Sequence, residues 1–254
     1  MNNPLDHTGR VVLVTGGTKG IGRVIAARYA EAGATAVVCA RSAPPEAGPG
    51  EPAFVACDVR DPDQVAALVA EVVERFDRLD VVVNNAGGAP FSPSATASPR
   101  FNERVIALNL LAPLTVAQAA YRVMHDQEEG GVIVNIASIS GTRPSPGTAA
   151  YGAAKAGLLN LTQTLAVEWA PRVRVNAVVG GMIATELAHL HYGDEGAQAR
   201  AAATVPMGRL GTPDDVAGAC LYLSSAVASF VTGAALAVHG GNERPAFLDA
   251  VQSD

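Results

Sequence analysis

Cysteine is scarce in this chain: there are three in 254 residues, Cys39, Cys57 and Cys220, with no Cys-x-x-Cys pair. An odd, widely spaced set argues against a disulfide framework or a structural metal site, and two of the three sit in apolar strand-like runs, so they read as reduced core residues. Positive charge is also short, with 18 Lys and Arg against 24 Asp and Glu for a net charge of −6. That balance repels nucleic acid and anionic membrane surfaces and leaves small-molecule chemistry as the better fit. No stretch reaches the roughly eighteen uninterrupted apolar residues of a membrane span. Met1–Gly9 carries no apolar segment of the kind that directs secretion. The expectation is a soluble cytoplasmic protein with neither a membrane nor a nucleic-acid partner. There is no internal repeat and no low-complexity tail.

What the chain does have is apolar, β-branched runs alternating with longer segments of helical period. The runs Val11–Thr15, Ala36–Ala40, Ala53–Cys57, Val81–Asn84, Val132–Ser138, Arg174–Val179 and Ala234–Val238 read as strands. Nearly all lack polar alternation, as strands do when helices cover both faces of a sheet. Asp61-Pro62-Asp63-Gln64 reads as a helix start, followed by an apolar stripe of Val65, Leu68, Val69, Val72 and Phe76. Ser98-Pro99 opens a second helix that carries Asn109, and Tyr151 to Trp169 forms a third. Ser42–Pro52 reads as a surface loop and Met182–Arg209 as a helical flap. The expected fold class is α/β, a single doubly wound Rossmann domain over residues 1–254 with a seven-stranded, mostly parallel sheet and helices on both faces.

Thr15-Gly16-Gly17-Thr18-Lys19-Gly20-Ile21-Gly22 follows the first strand and opens a helical pattern. Glycines there let the backbone turn sharply and approach a pyrophosphate, while the next helix presents free N–H groups and the positive end of its dipole. Gly16, Thr18, Lys19, Gly20, Ile21 and Gly22 are therefore candidate dinucleotide contacts, although the Gly-x-x-x-Gly-x-Gly spacing differs from the commoner Gly-x-Gly-x-x-Gly. An acidic residue ending the second strand would bind the ribose hydroxyls and repel a 2′-phosphate. Here that strand ends Cys39-Ala40-Arg41-Ser42. Arg41 offers a planar fork to a phosphate and Lys19 a second cation, which favours NADP(H) over NAD(H).

Ser138 ends the fifth strand, and Tyr151 and Lys155 stand four apart on one helical face. A free phenol titrates near pH ~10, so a cationic neighbour that lowers this value suits a proton-transferring tyrosine. A serine at a strand's carboxyl end lies where open α/β sheets place ligands.

With the glycine turn, the strand-end serine and the Tyr-x-x-x-Lys pair in this order, the sequence resembles the short-chain dehydrogenase/reductase family from Val11 to Gly241. The resemblance implies a catalytic set of Asn109, Ser138, Tyr151 and Lys155. Tyr151 would be the general acid/base, Ser138 would position the carbonyl, Lys155 would also bind the nicotinamide ribose, and Asn109 would hold a water leading to Lys155. It implies further cofactor contacts at Asp58 and Val59, at Asn85, Ala86 and Gly87 after the fourth strand, and at Gly181, Ile183 and Thr185. Gly180 stands where the family usually has proline and His239 where it often has aspartate. Association into a homodimer or homotetramer is implied by resemblance alone.

Pro113 lacks an N–H and lies four residues after Asn109, so a continuous helix should kink there, either freeing the Asn109 carbonyl to hold the relay water or merely bending the helix for packing. His189 and His191, two apart on a helix, point in different directions, and no metal site is expected. Trp169 with Leu158, Leu161 and Leu165 reads as core or subunit contact. The reading that results is NADP(H)-linked interconversion of a ketone and a secondary alcohol. Substrate walls from Gly88–Phe91, Ile139–Ser145 and Met182–Tyr192, mostly apolar, point to a hydrophobic or cyclic ketone or a 3-oxoacyl thioester. The alternatives are a non-catalytic nucleotide sensor, a sugar or polyol dehydrogenase, and epimerisation or dehydration on the same scaffold.

Overall fold

The computed structural model describes residues 3–43, 51–186, 188–245 and 247–251. Most of the expected loop Ser42–Pro52 lies outside the described residues, as does the side chain of His191.

In chain order the strands are β1 (Val11–Thr15), β2 (Thr35–Ala40), β3 (Ala53–Ala56), β4 (Val81–Asn84), β5 (Gly131–Ser138), β6 (Val173–Gly180) and β7 (Ala235–Val238). The helices are α1 (Gly20–Glu31), α2 (Pro62–Phe76), α3 (Pro99–Ile106), α4 (Ala112–Met124), α5 (Ala149–Trp169), α6 (His189–Tyr192), α7 (Glu195–Thr204), α8 (Pro213–Ser224) and α9 (Phe247–Val251). The seven strands form one sheet in the order β3-β2-β1-β4-β5-β6-β7, and every pairing is parallel. The order reverses between β1 and β4, which opens a crevice at their carboxyl ends where ligands bind in such sheets.

Local chemistry fixes the helices that flank this crevice. Asp61 caps α2 by accepting from Asp63 and Gln64 amides at 3.0 and 3.3 Å, with Pro62 in the first turn. Thr212 and Asp215 cap α8 reciprocally. On one sheet face Val65, Leu68, Val72, Val116 and Leu165, from α2, α4 and α5, form a continuous core with the strands; on the other, α1 and α8 contribute Ile25, Tyr29, Val216 and Leu223. Both faces are therefore apolar, which is why the strands carry no polar alternation. Leu158, Leu165 and Trp169 are buried, so this set belongs to the core, and Trp169 stacks on Tyr121 with centroids 4.5 Å apart.

Among the described residues the run Pro99–Met124 is long and apolar enough, by length and composition, to cross a membrane. It buries Val105, Ala112, Val116, Ala120 and Met124 inside the protein, as a core helix does. The expected flap resolves into α6 and α7, with a parallel bridge between Ile183 and Gly211 at its base and the Arg244 amide donating to the Thr204 carbonyl at the end of α7. No residue of α7 is buried.

Candidate active site

The glycine turn is locked to the end of β4. Thr15 Oγ1 accepts from the amides of Asn85 and Ala86, both at 3.0 Å, and Asn85 Nδ2 donates to the carbonyls of Thr15 at 2.9 Å and Gly16 at 3.2 Å. A Cβ on Gly22 would collide with the Asn85 carboxamide and would lie 2.5 Å from the Gly16 carbonyl, so only glycine lets α1 begin this close to the turn. The Gly20 N–H, at the start of α1, donates to Glu186 Oε1 at 2.7 Å. A carboxylate drawn to this point is the behaviour expected of an anion-binding helix start, and the residues fit a dinucleotide pyrophosphate. Sequence reasoning had no sign of Glu186, which lies directly after Thr185.

The turn forms one end of a cleft of about 830 Å³ that Lys19, Arg41, Asp58, Ser138, Tyr151 and Lys155 also line. Lys19 and Arg41 are exposed. Asp58 is held by Arg60 at 2.5 Å, and chiefly for that reason its carboxyl is lowered to about 2, with Arg41 contributing. Every other expected cofactor contact, Gly16, Thr18, Gly20, Ile21, Val59, Asn85, Ala86, Gly87, Gly181, Ile183 and Thr185, lines the same cleft, apart from Gly22 behind the turn.

Ser138, the last residue of β5, caps a short 3₁₀ turn over Ile139–Gly141 through its Oγ, which accepts from the Ser140 amide at 3.2 Å. Its hydroxyl also neighbours the Tyr151 phenol. Lys155 is buried, and its Nζ donates to the Ile136 carbonyl at 2.8 Å. A Cβ on Gly87 would lie 2.7 Å from Asn109 Oδ1 and 3.3 Å from Lys155 Nζ, so the absent side chain is what makes room for both.

The expected lowering of the Tyr151 phenol by Lys155 is not what the structure shows. Burial raises the phenol above its usual range, the neighbouring Ser138 hydroxyl opposes this, and the Tyr192 phenol adds to it. The reason is geometric: the ammonium sits over the ring, 5.6 Å from its centroid, and gives its hydrogen bond to a carbonyl. Burial lowers Lys155 itself to about 8.

Asn109 lies in a π turn, Ala107–Leu111, between α3 and α4, where the Ala112 amide donates to the Ala107 carbonyl five residues back. The helix is thus widened just before Pro113, a feature common at functional sites. The Asn109 side chain donates to the carbonyls of Gly88 at 3.0 Å and Val105 at 2.9 Å and accepts from the Gly88 amide at 2.8 Å.

The substrate end is more polar than expected. Ser140, Arg143, Ser145, Thr148 and Tyr192 all line it, while Phe91 does not. A second cavity of about 350 Å³, lined by Pro90, Phe101, Val105, Ile106 and Ala150, adjoins it and shares Ala89, Thr148 and Tyr151. At the rim His239 Nδ1 is buried without a partner, beside Gly181.

A family model described as enoyl-(acyl carrier protein) reductase matches residues 16–243. An L-rhamnose 1-dehydrogenase (NAD(P)(+)) of Azotobacter vinelandii is 38% identical over 246 residues, spanning 91% of this chain and 96% of that protein. The chain belongs to the short-chain dehydrogenase/reductase family. Other members of this family that resemble it include the 3β-hydroxysteroid dehydrogenase 1 of Eggerthella lenta, 38% identical over 247 residues, which cover 93% and 94% of the two chains. The ligand-free aldohexose dehydrogenase of Thermoplasma acidophilum superposes with a TM-score of 0.87 at 33% identity, covering 92% of this chain and 94% of that one. As a short-chain dehydrogenase/reductase, the chain is an oxidoreductase of a family that uses nicotinamide cofactors.

Proposed function

We propose that this protein is an NADP(H)-dependent oxidoreductase that interconverts a ketone and a secondary alcohol, with Tyr151 as its general acid/base. The observation that carries this reading is the Tyr151 phenol beside Ser138, with the buried ammonium of Lys155 over its ring, in the cleft that begins at the glycine turn. Nicotinamide, when bound, supplies or accepts the hydride. Ser138 holds the substrate oxygen and Tyr151 gives it a proton during reduction, or removes one during oxidation. Lys155 holds the ribose.

For NADP(H), the support is the exposed pair Lys19 and Arg41 in the cleft and the absence of a carboxylate at the end of β2. The apolar cavity beside Tyr151 supports a hydrophobic or cyclic ketone, or a 3-oxoacyl thioester. A second reading, a sugar or polyol dehydrogenase, is favoured by the hydroxyls of Ser140, Ser145 and Thr148, which bond one another at 3.0 and 2.6 Å on the cleft wall. A cytoplasmic setting is supported by three buried unpaired cysteines, and a homodimer or homotetramer by the exposed apolar side chains Val167 and Phe230.

The deciding assay follows NADPH oxidation across cyclic ketones, 3-oxoacyl thioesters and sugars, with Tyr151→Phe as control. Turnover of a ketone that the phenylalanine variant loses by at least a hundredfold is expected. An undiminished variant removes Tyr151 from the chemistry, and no hydride transfer with any compound leaves the nucleotide-sensor reading.

A further inference from the structure

We propose that Arg143 is a specificity-determining residue that receives an anionic group of the substrate, so that the protein selects an apolar ketone bearing a negatively charged tail. This rests on the oxidoreductase reading above. Arg143 is placed by the turn that Ser138 begins: its amide and that of Thr142 both donate to the Ile139 carbonyl, at 3.1 and 3.0 Å, and Pro144 restricts the backbone after it. The guanidinium therefore stands in the cleft wall five residues from the serine that holds the reacting oxygen.

Its hydrogen bonding is incomplete. One terminal nitrogen donates to the Pro144 carbonyl at 2.9 Å and the other to Glu243 at 2.5 Å, while Nε is buried with no partner. A buried donor without a partner is costly, more so when charged, unless a ligand supplies the acceptor. Arg143 lines the cleft, and Glu243, which pairs with it, does not. Among the described lining residues the other cations, Lys19, Arg41, Arg60 and Lys155, belong to the glycine turn, the ends of β2 and β3, or the floor under Tyr151. The one carboxylate in that lining, Asp58, is tied to Arg60. An anion at the substrate end thus meets a partly exposed planar cation opposed only by Glu243, and competes with Glu243 and the Pro144 carbonyl for its N–H groups. The apolar cavity beside Tyr151 takes the uncharged part of the same molecule.

The anionic group can be a carboxylate or a phosphate carried by a thioester. Three probes separate these: 3-oxocyclohexane-1-carboxylate, its methyl ester and its coenzyme A thioester, each titrated by calorimetry into the full-length protein loaded with NADP+. The carboxylate, the thioester or both should bind at least tenfold more tightly than the ester. Arg143→Met should bring that advantage to within twofold while leaving ester affinity unchanged, Arg143→Lys should keep part of it, and Glu243→Gln should increase it. Arg143→Gln serves the same comparison if the methionine variant does not fold. Equal binding of all three probes, no binding of either anion, or equal loss of ester and anion in the variants would overturn the proposal. Failure of hydride transfer with probes that bind as expected would instead count against the oxidoreductase reading.

Discussion

The carboxamide of Asn109 and the peptide of Gly88 pair edge to edge, accepting at 2.8 Å and donating at 3.0 Å, as neighbouring strands do. One fully buried side chain in a π turn thereby fixes the loop that leaves β4 beside the cofactor crevice.

Removing that side chain leaves both polar groups of Gly88 and the Val105 carbonyl without their partner. Asn109→Ala is expected to lose about 1–3 kcal/mol of stability in urea unfolding and at least tenfold in kcat. Asn109→Asp should lose activity as well, because a carboxylate cannot donate to two carbonyls. An alanine variant with unchanged stability and turnover would show the clamp to be incidental.

Lys155 is held near 8 by burial, well below its ordinary 10.5. Carbonyl reduction that needs its positive charge should fall as pH rises through about 8, a limb that Lys155→Met lacks. For stability the sign is the reverse. Between pH 8 and 10.5 the unfolded chain keeps this proton and the folded one does not, so wild type should gain relative to the methionine variant across that window, by at most about 3 kcal/mol, the equivalent of the shift. Parallel stability curves for the two proteins would refute the assignment.

Glu186 holds the Gly20 amide where a cofactor phosphate would be received. Binding must displace it, so Glu186→Gln should tighten NADPH roughly threefold to tenfold in a fluorescence titration, since a neutral amide is the weaker competitor for that donor. Weaker or equal binding by the glutamine variant would mean that the carboxylate plays no competing part.

Cofactor choice should rest on the cations at the open end of the cleft. Arg41→Asp is expected to raise KM for NADPH at least tenfold and to lower it for NADH, and Lys19→Ala to act in the same direction more weakly. A wild-type preference for NADH in the same assay would dispose of the NADP(H) assignment.

Val167, 82% exposed on α5, is the apolar residue to test for self-association. Light scattering on a sizing column should give a multiple of 25.9 kDa, reduced by Val167→Lys. A monomer at micromolar concentration would remove the oligomer.

What could be read from the sequence was set by local physics. Val81–Asn84 and its like are buried on both faces and announce it in their composition; Asp61 and Ser98 cap the helices that follow; and the spacing of Tyr151 and Lys155 puts both on one helix face. What escaped lies in contacts between distant segments: Glu186 reaches Gly20 across 166 positions, and Arg143 reaches Glu243 across 100. The direction of the Tyr151 shift escaped for a related reason. Spacing gives the distance to a cation, but burial, which dominates here, depends on every element packed around the phenol.

The strand order carries a consequence for how the chain acquires this structure. β1 lies between β2 and β4, so during synthesis its second edge stays open until residues 81–84 have emerged. Over that interval Val11–Val14 are an uncovered sticky ribbon, and fragments ending before β4 should clump rather than fold.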